Sequence, residues 1–74
     1  MPRRRARVAT PEAGIGARIT EIRKRRHMTQ VELAAQVGMT QSLLSRYERG
    51  ALRLHGALVA DIARTLNVTA DEIL

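Results

Sequence analysis

The chain has 74 residues, no cysteine, a single aromatic residue, and 13 Lys plus Arg against 7 Asp plus Glu, a net charge of +6. That leaves room for one small domain and excludes disulfides and thiolate metal sites, while His27 and His55 lie too far apart in sequence to suggest a metal pair, so no metal or other cofactor is expected. The longest apolar run, residues 57–60, falls far below the roughly 18 residues that span a bilayer, and no apolar stretch follows the Arg-rich beginning, so the expectation is a cytoplasmic protein.

Charge is distributed unevenly. Residues 1–26 hold eight Arg and Lys24 against Glu12 and Glu21, a net +7, whereas residues 27–74 carry a net −1. Such polarity points to a polyanionic partner. Phe and Trp are absent, which argues against a membrane-surface helix and against base stacking on single strands, and double-stranded nucleic acid is the better match. Residues 1–13, rich in Arg and Ala with two Pro, show no helical period and are expected to form a flexible basic arm ahead of a folded domain over residues 14–74.

Within that domain, Ile15, Ile19 and Ile22 recur at helical spacing, predicting a first helix over residues 15–26. Thr29 and Glu32 form a capping-box pattern that opens a second helix, with Leu33, Ala34 and Val37 on its apolar face and Gly38 as its stop. Thr40 caps a third helix that begins at Gln41, turns Leu44 and Tyr47 inward, and ends near Arg49 ahead of Gly50. Leu58, Val59, Ile62, Ala63 and Leu66 define a fourth helix over residues 56–66, with Asn67 as its cap. Thr69 and Glu72 open a short fifth helix that holds Ile73 and Leu74. The fold class is therefore all-α, with no strand pattern.

The stretch QVELAAQVGMTQSLLSRYER, residues 30–49, joins two short helices by a turn too tight for antiparallel packing. A small residue, Ala34, sits at the point of closest approach, Gly38 permits the turn, and Leu33, Val37, Met39, Leu44 and Tyr47 fill the angle. This is a helix-turn-helix pattern, in which the second helix enters the major groove of DNA. With it, residues 15–74 resemble the lambda-type phage repressor and Cro family, also called the xenobiotic-response-element family. The match rests on Ile19, Ile22 and Arg23, the Thr29-Gln30-x-Glu32-Leu33-Ala34 entry, Gly38, the run from Ser45 to Gly50, and Ile62, Ala63, Leu66, Val68, Asp71, Glu72 and Leu74. The departure is Leu54-His55-Gly56, where the family commonly has Pro and Ser to start helix four.

The resemblance implies a five-helix, repressor-like domain that binds operator DNA, usually as a symmetric dimer. It assigns base contacts to Thr40, Gln41, Ser42, Ser45 and Arg46, whose chemistry agrees: Gln pairs with adenine, Arg with guanine, and Ser with several bases. Gln30, at the start of helix two, is implied as a phosphate contact, and Arg49 and Arg53 flank the following turn where they can grip the backbone. Arg23 and Glu48 are implied to pair between helices one and three, as structure and not as ligands. Arg3, Arg4, Arg5 and Arg7 resemble arms that reach into a minor groove, with a solubility tail as the alternative.

Tyr47 is expected in the core with its hydroxyl outward, and each His as a surface or capping residue. Leu52, Leu54, Val68, Ile73 and Leu74 are candidates for the dimer surface. The expected function is a homodimeric, sequence-specific transcriptional regulator of a bacterium or phage, bound to double-stranded DNA, with no small-molecule ligand evident. The alternative is an antitoxin or adaptor that uses the same scaffold to hold a protein. No residue pattern supports an enzyme, since Gly14-Ile15-Gly16 lacks the preceding strand of a dinucleotide fingerprint.

Overall fold

The structure, a computed structural model, describes residues 11–74. Five helices follow one another: α1 (Pro11–Arg25), α2 (Gln30–Val37), α3 (Gln41–Glu48), α4 (Gly56–Leu66) and α5 (Ala70–Ile73), with no strand among the described residues. Helix α3 packs on α1 and α2, α2 on α4, and α4 on α5, which returns to α1. One core results, built from Ile19 and Ile22 of α1, Leu33 and Ala34 of α2, Leu44 of α3, Leu58, Val59, Ile62, Ala63 and Leu66 of α4, and Ile73 of α5.

The helix starts follow the capping chemistry in the sequence. Thr29 accepts the Glu32 amide while the Glu32 carboxylate accepts the Thr29 amide, and Thr69 and Glu72 repeat the arrangement. Thr40 accepts the Leu43 N–H at 3.1 Å. At the departure from the family pattern, the imidazole Nδ1 of His55 accepts the Leu58 N–H at 3.2 Å, so His55 does the capping work that Ser does elsewhere.

Four helix ends close in one way. His27 (φ 57), Gly38 (φ 80), Gly50 (φ 79) and Asn67 (φ 59) adopt the left-handed conformation. The next amide in each case reaches back across the last turn of its helix: Met28 to Arg23 O, Met39 to Ala34 O, Ala51 to Arg46 O and Val68 to Ala63 O.

Two expectations change. Helix α1 begins at Pro11, ahead of the expected start at Ile15. Proline suits a first helical turn because its missing N–H would have no partner there, and the extra turn is held by packing of Ala13 against Gly50. Ile73 is fully buried within the chain, which removes it from the candidate dimer surface. Leu54 and Val68 are half-buried against the core, whereas Leu74 is 58% exposed. The arm residues Arg3, Arg4, Arg5 and Arg7 lie outside the described residues. Among the described residues no helix is long and apolar enough to cross a membrane, and no three His, Cys, Asp or Glu side chains gather as a metal site.

Candidate nucleic-acid interface

Helix α3 has one buried side and one open side. Leu44 is fully buried, Tyr47 packs partly against the core, and Glu48 is buried at 8% exposure. The opposite face presents Gln41, Ser42, Arg46 and Arg49 to solvent, with Ser45 half-buried between them. A shallow cleft on this face is lined by Gln30, Gln41, Ser42, Ser45, Arg46 and Arg49. Four of the five residues expected to touch bases therefore line it together with two of the three expected to touch phosphate. Thr40 lies outside the cleft with its hydroxyl committed to the cap, and Arg53 lies beyond it in the loop after α3.

The electrostatics of that face follow from where the acids go. The only carboxylate of α3, Glu48, turns inward, where its two oxygens accept Arg23 Nε at 2.8 Å and Arg23 Nη2 at 3.0 Å. The side chains of this pair are 8% and 4% exposed. Thr20 Oγ1 lies 2.9 Å from Glu48 Oε1 and 3.0 Å from the Gly16 carbonyl, sharing its proton between them, and Gln30 Nε2 donates to Glu48 Oε1 at 3.0 Å. Arg23 Nη1 donates to the Met28 carbonyl at 2.8 Å. Burial by itself would raise the Glu48 carboxyl, but hydrogen bonds from Arg23, Gln30 and Thr20 and the Arg23 charge outweigh it, so the group sits below its ordinary 4.5 and stays ionised. With this carboxylate neutralised by Arg23, the outer face of α3 carries only polar groups and the cations Arg46 and Arg49. Arg49 is itself oriented, since its Nη1 donates to Ser45 Oγ at 2.8 Å.

Gly16 is a positioning residue that the sequence did not single out. A Cβ at Gly16 would run into the main-chain carbonyls of Tyr47 and Glu48, so α1 crosses the end of α3 at backbone contact. That contact and the Arg23–Glu48 pair set how α3 lies against the body. The inward turn of Gln30 toward Glu48 was equally hidden in the sequence. A glutamine at a helix start and a glutamate 18 residues later carry no local mark of meeting.

A tight α2-turn-α3 unit whose second helix is locked from behind and polar, cation-bearing in front defines a helix-turn-helix DNA-binding domain. Comparison with known proteins agrees. The helix-turn-helix family profile matches residues 19–73. The chain is 38% identical over 58 residues to the uncharacterized HTH-type transcriptional regulator YazB of Bacillus subtilis, a match covering 78% of this chain and 84% of YazB. It is 37% identical over 60 residues to the antitoxin PezA of Streptococcus pneumoniae, covering 81% of this chain but only 38% of PezA. Among solved structures, the clp gene regulator ClgR of Corynebacterium glutamicum superposes with a TM-score of 0.85 at 23% identity, over 88% of this chain and 69% of that one. The restriction-modification controller protein C.AhdI of Aeromonas hydrophila superposes at 0.80 and 24% identity, over 84% and 94%. These two share the fold. The chain belongs to the helix-turn-helix family of lambda-type repressor and Cro proteins, whose role is DNA-binding transcriptional regulation.

Proposed function

We propose that the protein is a homodimeric, sequence-specific regulator that reads a palindromic operator, laying α3 in the major groove of each half-site. Two recognition helices in such a dimer stand about 34 Å apart, one turn of duplex. Gln41, Ser42, Ser45 and Arg46 face base edges, with Thr40 at the helix entry. Gln30, Arg49 and Arg53 hold phosphates, and Arg3, Arg4, Arg5 and Arg7 add backbone or minor-groove contacts. The observation that carries this reading is the cleft that gathers Gln30, Gln41, Ser42, Ser45, Arg46 and Arg49 on the face away from the core. The dimer contact falls to the apolar edge of the α3–α4 loop and α5, where Leu52 is half-buried and Leu74 is exposed. Its place of action is the compartment that holds the DNA.

The test is base-pair discrimination. Gln41→Ala and Arg46→Ala should each lose roughly 1–3 kcal/mol of discrimination at one base pair. Equal weakening on selected and scrambled duplex would refute base reading by α3. The likeness to PezA favours one second reading, an antitoxin that uses the helix-turn-helix scaffold to hold a protein. Isolation of the protein from its native cells with no other protein bound to it would count against that reading.

A further inference from the structure

We propose that Met28 and Met39 make this domain responsive to oxidants: oxygen transfer to their sulfurs loosens the two joints that hold α2 and α3, and the domain lets go of DNA. The release from DNA rests on α3 being the DNA-reading helix, as proposed above, whereas the loosening does not. The chain has no cysteine, and Met28 and Met39 are the only sulfur-bearing residues among the described ones. Both are half-buried and packed against the core, so each keeps part of its surface open to solvent. They occupy the same place in two successive joints. Met28 follows left-handed His27 at the end of α1 and precedes Thr29, the cap of α2. Met39 follows left-handed Gly38 at the end of α2 and precedes Thr40, the cap of α3.

Each methionine thus closes one helix and opens the next. Its amide ends the preceding helix, Met28 on the Arg23 carbonyl at 3.1 Å and Met39 on the Ala34 carbonyl at 2.9 Å. Its side chain stands one residue ahead of a cap, the position that packs across the first turn toward the fourth helical residue. Those fourth residues are Leu33 and Leu44, both fully buried. The Met28 carbonyl also accepts Arg23 Nη1 at 2.8 Å, which ties this joint to the Arg23–Glu48 pair behind α3. With a peroxide the chemistry is a two-electron oxidation. The O–O bond breaks, one oxygen bonds to Sδ, sulfur gives up an electron pair, and the other oxygen leaves as water with both peroxide protons. The apolar thioether becomes a polar sulfoxide, which is costly to keep against the core and turns out toward water. Helices α2 and α3 then lose the fixed angle that presents Gln41, Ser42, Ser45 and Arg46 together. Methionine sulfoxide reductases return each sulfoxide to the thioether, which makes the response reversible.

In the test, the full chain is treated with hydrogen peroxide until mass spectrometry of its peptides shows sulfoxide at both positions. It is then melted, and titrated at one salt concentration on a duplex enriched from a random library by untreated protein. Treated wild type should melt lower by about 5 °C or more and bind about tenfold or more weakly, and methionine sulfoxide reductases with dithiothreitol should restore both. The double variant Met28→Leu/Met39→Leu keeps apolar volume at both joints and retains Met1 as an oxidisable control. It should melt and bind near untreated wild type, before and after peroxide. Met39→Gln, which puts a polar group of similar length at the second joint, should melt lower with no oxidant present. Wild type that carries both sulfoxides yet melts and binds as before would overturn the proposal. So would a double variant that loses as much to peroxide as wild type does. If untreated protein enriches no duplex, the DNA-reading role of α3 falls and the release from DNA with it, while the loosening of the joints stands or falls on the melting shift.

Discussion

At the scale of residues, two side chains buried behind the open face, Arg23 and Glu48, decide how that face is held. Removing one partner of a buried ion pair leaves the other charge desolvated, at a cost of about 3–5 kcal/mol, so Arg23→Met should lower the urea midpoint sharply. The pH dependence has a definite sign. Folding holds the Glu48 carboxyl below its ordinary 4.5, so between those two values the unfolded chain binds the extra proton. The stability from Glu48 is therefore complete above about 4.5 and is lost as pH falls through the lower folded value. Melting curves of wild type and Glu48→Gln should be furthest apart at neutral pH and converge in acid; a gap that widened in acid would contradict the assignment. At Gly16, alanine would gain about 1 kcal/mol of helix propensity at an open site. Here its methyl meets the carbonyls of Tyr47 and Glu48, and overpacking dominates, for a net loss of about 1–3 kcal/mol by chemical denaturation. The Arg23–Glu48 pairing was legible only through family resemblance, and Gly16 not at all, because a glycine signals freedom while its partner carbonyls lie about 30 residues away in sequence.

At the scale of elements, the chain was largely readable, since the determinants of short helices are local. Thr29, Thr40 and Thr69 announce helix starts by side-chain chemistry, and Gly38, Gly50 and Asn67 announce ends by tolerance of positive φ. Apolar spacing then fixes which face turns inward, and Ile19, Leu33, Leu44, Ile62 and Leu66 are all fully or almost fully buried. What resisted reading was tertiary in origin. The first turn of α1 is supported by Ala13 against Gly50, a contact with no trace in a stretch of Arg, Ala and Pro. His27 closes α1 in a left-handed conformation that its residue type does not advertise. Ile73 and Leu74 are adjacent and both apolar, yet one is sealed in the core and the other is open, which periodicity over so short a helix does not resolve. Because Thr40 caps α3, Thr40→Ala should cost about 1 kcal/mol of stability by thermal melting. His55→Ala should have a similar cost at α4, and an unchanged melting temperature in either variant would contradict the capping role.

At the scale of the whole molecule, the proposed reading divides the work between a net charge of +6 with its surplus in residues 1–26, which would set how strongly any duplex is held, and α3, which would set which duplex. The two roles separate experimentally. Removing residues 1–8 should flatten the slope of log K against log salt by about 0.9 for each phosphate that the arm neutralises, while the ratio between operator and scrambled DNA changes little. An unchanged slope would show that Arg3, Arg4, Arg5 and Arg7 take no part in binding. A chain this small buries only about 60% of the surface its unfolded form exposes, so the proposed association with a second copy would stabilise the domain as well as pair its α3 helices. The most direct test of the central claim is selection of duplexes from a random library by the full chain, followed by titration of the winner against a scrambled duplex at one stated salt concentration. The account predicts an enriched palindrome with half-sites about one helical turn apart, bound about a thousandfold or more tighter than the scramble. Binding without enrichment, equally tight on both duplexes and governed by salt alone, would contradict it.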